Sequence, residues 1–185
     1  MKSYLQQYKP FLIFLGKFLF SYFLLLFLYQ LYLNSFDASR FEPDGATKLV
    51  SENTVWFLRV TGHDAEIYPH PRESSYKLFL DGHSIARIVE GCNAVSVMIL
   101  FAAFIIAFSS KWLRTSLFII SGILLIHVLN VIRVGLISVA MEKYPQYKGL
   151  LHDVIFPLFI YGVVFGLWVL WINKYSFYAK KTPRT

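Results

Sequence analysis

The chain has 185 residues, 56% of them hydrophobic and only 16% charged, with 18 Phe, 12 Tyr and a net charge of +7. That is more apolar surface than one soluble core of this size buries, against the usual share of about a quarter charged residues, and it excludes intrinsic disorder, a coiled coil and most soluble enzymes. The basic residues sit beside apolar runs, where they set membrane topology rather than bind nucleic acid, and a single Cys excludes an internal disulfide or a multi-Cys metal site.

Residues 1–33 form a basic flank and the first apolar stretch, Phe11 to Leu33, broken only by Gly16, Lys17, Ser21 and Gln30. It is too long for a signal-peptide core and no small-x-small cleavage site follows, so it reads as a retained signal anchor. Residues 34–90 read as an extracytoplasmic cap. There Tyr76–Leu80 and Ser84–Val89 flank Asp81-Gly82 and His83, a β-hairpin signal. Thr54 to Val60 is rich enough in β-branched and aromatic residues to predict another strand.

Residues 91–172 hold three more apolar stretches of the kind that crosses a bilayer as roughly 20 residues of helix. The second runs through Val97–Phe108 and extends upstream to Ala94. The third, Leu117–Ala140, contains His127, Asn130 and Arg133. The fourth, Val154–Ile172, has Pro157 near its start and the close-packing spacing Gly162-x-x-x-Gly166. Residues 173–185 form a basic tail. The fold class expected is an all-α integral membrane protein, a four-helix transmembrane bundle with a small extracytoplasmic segment containing a β-hairpin.

Charge orients the bundle. Lys2 and Lys9, Lys111 and Arg114, and Lys174, Lys180, Lys181 and Arg184 lie in three flanks without an acid, whereas residues 34–90 hold six basic and nine acidic residues. Both termini are therefore expected in the cytoplasm.

Three residues carry the chemical signal. Arg133 is roughly 10 Å inside the outer end of the third span at 1.5 Å per residue. An arginine in mid-span costs about 2.5–3.5 kcal/mol on insertion scales, so it marks a polar cavity with a function or a structural arginine paired with backbone. Asn130 and His127 lie on the same wedge of that helix. Cys92 stands where the outer segment meets the second span, near a helix N-terminus that favours a thiolate; Glu90 works against that. His152, beside Asp153, precedes the fourth span. With alternating helix directions the three fall at one membrane level, an arrangement for a thiol nucleophile, a proton shuttle and a fixed positive charge.

Glu90-Gly91-Cys92 at a helix start, Asn130-x-x-Arg133 and His152 together resemble the exosortase/archaeosortase family, and most closely its F-type branch of Bacteroidetes. In that family's common form a small residue and then Gly follow the Cys; here Asn93-Ala94 stand in those places. The resemblance implies a membrane-embedded cysteine protease or transpeptidase that cleaves C-terminal sorting signals of exported proteins through a thioester. Cys92, Arg133 and His152 would be its catalytic residues, with Asn130 in support. It implies a bacterial inner (cytoplasmic) membrane location with the active site facing the periplasm. The partners expected are exported protein substrates and the lipid bilayer, with no nucleic acid. No cofactor or metal is expected, because His63, His70, His83 and Asp64 match no compact ligand motif. The competing reading is a non-enzymatic membrane scaffold or assembly factor, with Arg133 and Asn130 as interhelical contacts and Cys92 as packing.

Overall fold

A computed structural model describes residues 2–108 and 110–175. It is mostly helical, at 74%, with one small sheet. Helix α1 spans Lys2–Leu33, and after a short connection α2 spans Gly45–Val60. Strands β1 (Ala65–Pro69), β2 (Ser75–Leu80) and β3 (His83–Val89) follow, and a 3₁₀ turn at Glu90–Cys92 leads into α3 (Val95–Ala107). Helix α4 spans Trp112–Lys143. The single turn α5 (Lys148–Leu150) and a π-helical turn at Leu151–Ile155 then precede α6 (Phe156–Leu170). Of the basic tail, Lys180, Lys181 and Arg184 lie outside the described residues.

Three helices are long and apolar enough to cross a membrane: Tyr8–Leu33, Trp112–Lys143 and Leu151–Tyr175. They contain the expected first, third and fourth spans. The second expected span appears as α3, apolar throughout but only 13 residues long, about 20 Å against a hydrocarbon core of about 30 Å.

The expected strand at Thr54–Val60 is instead the second half of α2. Asp44 caps this helix, its side chain accepting the amides of Ala46 and Thr47. The buried residues Thr47, Val50, Ser51, Thr54, Val55 and Leu58 recur at helical spacing, so one face of α2 packs inward and overrides the local β preference of the run. The hairpin forms as expected between β2 and β3. Its two turn residues, Asp81 and Gly82, both have positive φ, 48° and 84°, as a two-residue hairpin turn with the right twist requires. Strand β1 adds to β2 in antiparallel register, Ala65 opposite Leu80, giving the order β1-β2-β3.

The sheet's inner side chains Ala65, Leu78, Leu80 and Ile88 pack with Val50, Val55 and Leu58 of α2 and with Val134 of α4. This core anchors the cap directly to a membrane helix. A second core among the helices is built on Phe101, Ile105, Ile126, Val164 and Trp171. Phe14 of α1 joins it through Phe108, with ring centroids 4.2 Å apart, and Phe104 of α3 stacks on Trp168 of α6 at the same distance. Trp171 donates its indole N–H to the Phe108 carbonyl at 2.9 Å, tying the ends of α3 and α6 together.

The glycines that admit close helix contact are not the expected pair. A Cβ added at Gly162 or Gly166 would meet nothing within 4 Å, whereas one at Gly135 would lie 2.5 Å from Phe57 of α2 and one at Gly122 2.3 Å from Phe101 of α3.

Candidate functional site

Cys92 is the last residue of the turn that carries the chain from β3 to α3. The turn is fixed by its neighbours rather than by regular structure. Ala94, in the left-handed region at φ 61°, redirects the backbone into α3. Asn93 is buried and holds both sides of the bend: its Oδ1 accepts the Val95 amide at 2.9 Å, and its Nδ2 donates to the Tyr29 hydroxyl at 3.0 Å and the Thr47 hydroxyl at 3.3 Å. The Tyr29 hydroxyl donates in turn to Glu90 at 2.8 Å, and Thr47 donates to the carboxylate of Asp44. Each hydroxyl thus gives one bond and takes one. The network joins α1, the cap of α2 and the Cys92 turn. Asn93, at a position where the family's common form has a small residue, is the junction of that network, which no local sequence pattern signals.

Two sequence-based arguments about the thiol change. The Asn93 side chain takes the Val95 amide at the start of α3, so that amide is not offered to Cys92. The Glu90 carboxylate, expected to oppose a thiolate, is engaged by Tyr29 on the α1 side.

Asn130 is fully buried on α4 and connects the turn to the arginine. Its Nδ2 donates to the Cys92 carbonyl at 2.8 Å, and its Oδ1 accepts Arg133 Nη1 at 3.2 Å. The Nε of Arg133 is buried with no hydrogen-bond partner among the described residues. Leaving such a donor unmet is costly, but Thr54 Oγ1, Ser75 Oγ and Trp168 Nε1 share that state among the described residues, so what marks Arg133 out is its place in a cleft with Cys92 and His152. His127, expected on the same polar stripe, turns away to α2, its Nε2 lying 2.9 Å from Asn53 Nδ2.

His152 sits in the π-helical turn Leu151–Ile155. Pro157 has no N–H to close onto the Asp153 carbonyl, which removes one α-helical bond at this point. π turns are frequent at functional positions. The imidazole is half exposed, at 49%, and its Nδ1 lies 2.8 Å from Asp153 Oδ1. A carboxylate on Nδ1 fixes the ring and leaves Nε2 free to exchange a proton.

Cys92, Arg133 and His152 line one cleft of about 510 Å³ between β3 and α4. Its wall includes Ser84–Val89, Lys77 and, on α4, Ile137, Ser138 and Met141. Among the described residues no carboxylate lines it, while Lys77, Arg87 and Arg133 do; the Arg87 guanidinium is paired with Glu73, so the field that favours a developing anion comes from Lys77 and Arg133. The three residues singled out from sequence are thus brought together, with Asn130 behind two of them.

The histidines of the cap fall otherwise. His63 groups with Asp81 and Glu142, their ligand-type atoms all within 4.8 Å of one another. His70 instead accepts the Arg72 amide. The Asp81 carboxyl accepts the Asp64 amide at 2.9 Å and faces His63 at 3.2 Å, which holds its pKa below the ordinary carboxylate value. Sequence spacing missed this group because its members come from three separate elements.

A family model described as transmembrane exosortase (Exosortase_EpsH) matches residues 11–176, from within the first apolar helix through the last and over every residue of the cleft. No curated protein and no solved structure matches the chain. The family is membrane-bound, and its members are generally cysteine peptidases or transpeptidases with a sorting role. By the extent of that match, the chain belongs to the transmembrane exosortase family.

Proposed function

We propose that this chain is a membrane-embedded cysteine peptidase or transpeptidase that cleaves the C-terminal sorting signal of exported proteins. The observation that carries this reading is the single cleft lined by Cys92, Arg133 and His152, with the arginine held by Asn130 and the imidazole by Asp153. Cys92 Sγ gives its proton to His152 Nε2 and attacks the peptide carbonyl just outside the substrate's C-terminal span. The carbonyl oxygen becomes the oxyanion of a tetrahedral intermediate, and the Arg133 guanidinium stabilises it. His152 then protonates the leaving amine as the C–N bond breaks, leaving a thioester on Cys92. In the second half, His152 takes a proton from water or an acceptor amine as that group attacks, and the thiol is regenerated.

In this reading the chain has four spans, with α3 the short one, both termini in the cytoplasm and residues 34–90 outside. Residues 91–172 are the catalytic core and 173–185 the cytoplasmic tail. The location is a bacterial inner membrane with the cleft toward the periplasm, and the affiliation is the F-type branch of Bacteroidetes. Acid-free basic flanks and the junction of cap and α4 support the topology, and the affiliation rests on the sequence resemblance alone.

The test is processing in cells. Cys92→Ser, Arg133→Ala and His152→Ala each abolish removal of C-terminal spans from exported proteins while the chain still inserts. Processing that persists in Cys92→Ser overturns the nucleophile. Labelling of a cysteine placed at Ser176 from outside intact spheroplasts, in a Cys92→Ser background, overturns the topology.

A further inference from the structure

The sheet's strand order is β1-β2-β3, so β3 pairs with β2 alone and its other backbone edge is open. Among the described residues, no hydrogen bond outside the ladder reaches the backbone of His83–Val89. An open edge is a template for another strand, and natural proteins usually cover or charge it. Here it faces the cleft. Six consecutive residues of β3, Ser84 through Val89, line that cleft. Side chains alternate between the two faces of a strand, so a cleft lying against a face would touch every second residue. Contact with the whole run, with Lys77 alone added from β2, means that the cleft follows the edge. The ladder also slips at Leu78/Phe79, so Ile85 has no partner on β2. Such bulges are frequent at sheet edges and beside active sites.

The continuation of that edge is the nucleophile. Glu90 and Gly91 alone separate the end of β3 from Cys92, and α3 begins at Val95. The cleft therefore runs from the cap to the level at which an apolar helix begins, with Cys92 at that lower end. A substrate anchored by its own C-terminal span meets the cleft from the same level, and the peptide just outside that span is extended as it passes the thiol.

Building on the thiol-peptidase reading above, we infer that the substrate's juxtamembrane segment binds as an added strand on the free edge of β3. Main-chain hydrogen bonds to β3 set the register that places the scissile carbonyl over Cys92. This is β-strand addition, in which backbone bonds supply affinity and alternate side chains supply selectivity.

The experiment has two stages, each on the full-length chain in the membrane. C-terminal peptide mapping compares cells carrying wild type with cells carrying Cys92→Ser. An exported protein that loses its C-terminal span only with wild type is the probe. If none exists, the peptidase reading falls and takes this inference with it.

With the probe identified, Ala86→Pro and Arg87→Pro are compared. Adjacent strand residues point their amides to opposite sides, so one of the two removes an outward N–H, a position where edge strands accept proline. The variant that reaches wild-type amounts processes the probe roughly tenfold more slowly, the effect of one lost hydrogen bond at a buried site. Of the matching pair Glu66→Pro and Ile67→Pro on β1, the opposite edge, the variant that reaches wild-type amounts processes normally.

A photo-reactive residue at Ser84 in Cys92→Ser gives adducts confined to the probe's segment directly ahead of its C-terminal span; one at Tyr68 on β1 gives none. Normal processing by a well-inserted β3 proline variant, or Ser84 adducts elsewhere on the probe, overturns strand addition and leaves the peptidase reading standing. If both β3 prolines lower the amount of protein, the Ser84 adducts alone decide.

Discussion

Asn130 holds the carbonyl of Cys92 from a helix 38 residues away, its side-chain amide donating across 2.8 Å. The oxygen of the same side-chain amide accepts Arg133, so one buried side chain sets both the backbone of the nucleophile and the position of the cation. Its replacement separates those two tasks. Asn130→Ala leaves the Cys92 carbonyl and one guanidinium N–H unmet, and Asn130→Asp keeps an acceptor for Arg133 but turns a carboxylate oxygen toward the Cys92 carbonyl. Each costs about 1–3 kcal/mol, which is roughly ten- to a hundredfold in processing rate if it acts at the transition state. Single-turnover processing beside a melting curve distinguishes positioning from stability. Equal loss in both places Asn130 in the fold alone.

Among the described residues the Asp153 side chain bonds to His152 alone, so it offers a cleaner substitution. Asp153→Asn keeps the size of the side chain, yet its amide can donate to Nδ1 and stabilise the tautomer that carries the proton on Nε2. A base must have that nitrogen unprotonated, so turnover falls while amount and insertion do not change. Because His152 is half exposed, the loss is modest, about tenfold for one charge-assisted bond. Unchanged turnover removes Asp153 from the mechanism without touching His152.

Helix packing gives a prediction that separates two sequence signals. Gly135→Ala places a methyl against Phe57, at 2.5 Å from the nearest ring carbon, and the ring belongs to the cap core that also positions β3. Overpacking of this kind costs about 1–3 kcal/mol. Gly162→Ala, at the more conspicuous spacing, meets nothing within 4 Å and leaves the melting temperature unchanged. A melting temperature that falls only for Gly162→Ala contradicts the observed packing of α2 on α4.

These cases show what the sequence carried. Cys92, Arg133 and His152 could be grouped from the sequence because a bilayer aligns helices, and position along a span then fixes depth. The β2–β3 hairpin was legible because Asp81-Gly82 permits little besides a tight turn. Helix α2 was not: Thr54–Val60 has the composition of a strand, and only its packing on α4 and the sheet decides otherwise. The role of Asn93 was hidden for a related reason, since Tyr29 and Thr47 stand 64 and 46 residues upstream. Gly162-x-x-x-Gly166 misled because spacing describes one helix, whereas close approach needs a partner chain opposite it.

Arg133 tests the electrostatic half of the mechanism. One of its Nη groups is committed to Asn130, and the rest of the planar guanidinium keeps further donors in fixed directions. A lysine at this position has a single ammonium on a flexible stem. It can meet Asn130 or lean toward the cleft, but cannot hold both at once. Arg133→Lys therefore keeps a positive charge in the cleft and loses the fork. Removing one donor from an oxyanion site typically costs about a hundred- to a thousandfold in turnover, and the lysine variant is expected near the lower end because the charge remains. Arg133→Ala loses both and falls further. Substrate capture, read as cross-linking from Ser84 in each variant, stays near the wild-type level because the edge of β3 is untouched. If instead capture falls in step with turnover, Arg133 holds the substrate's ground state. If Arg133→Lys processes at close to the wild-type rate, a positive charge suffices and the guanidinium geometry has no special part.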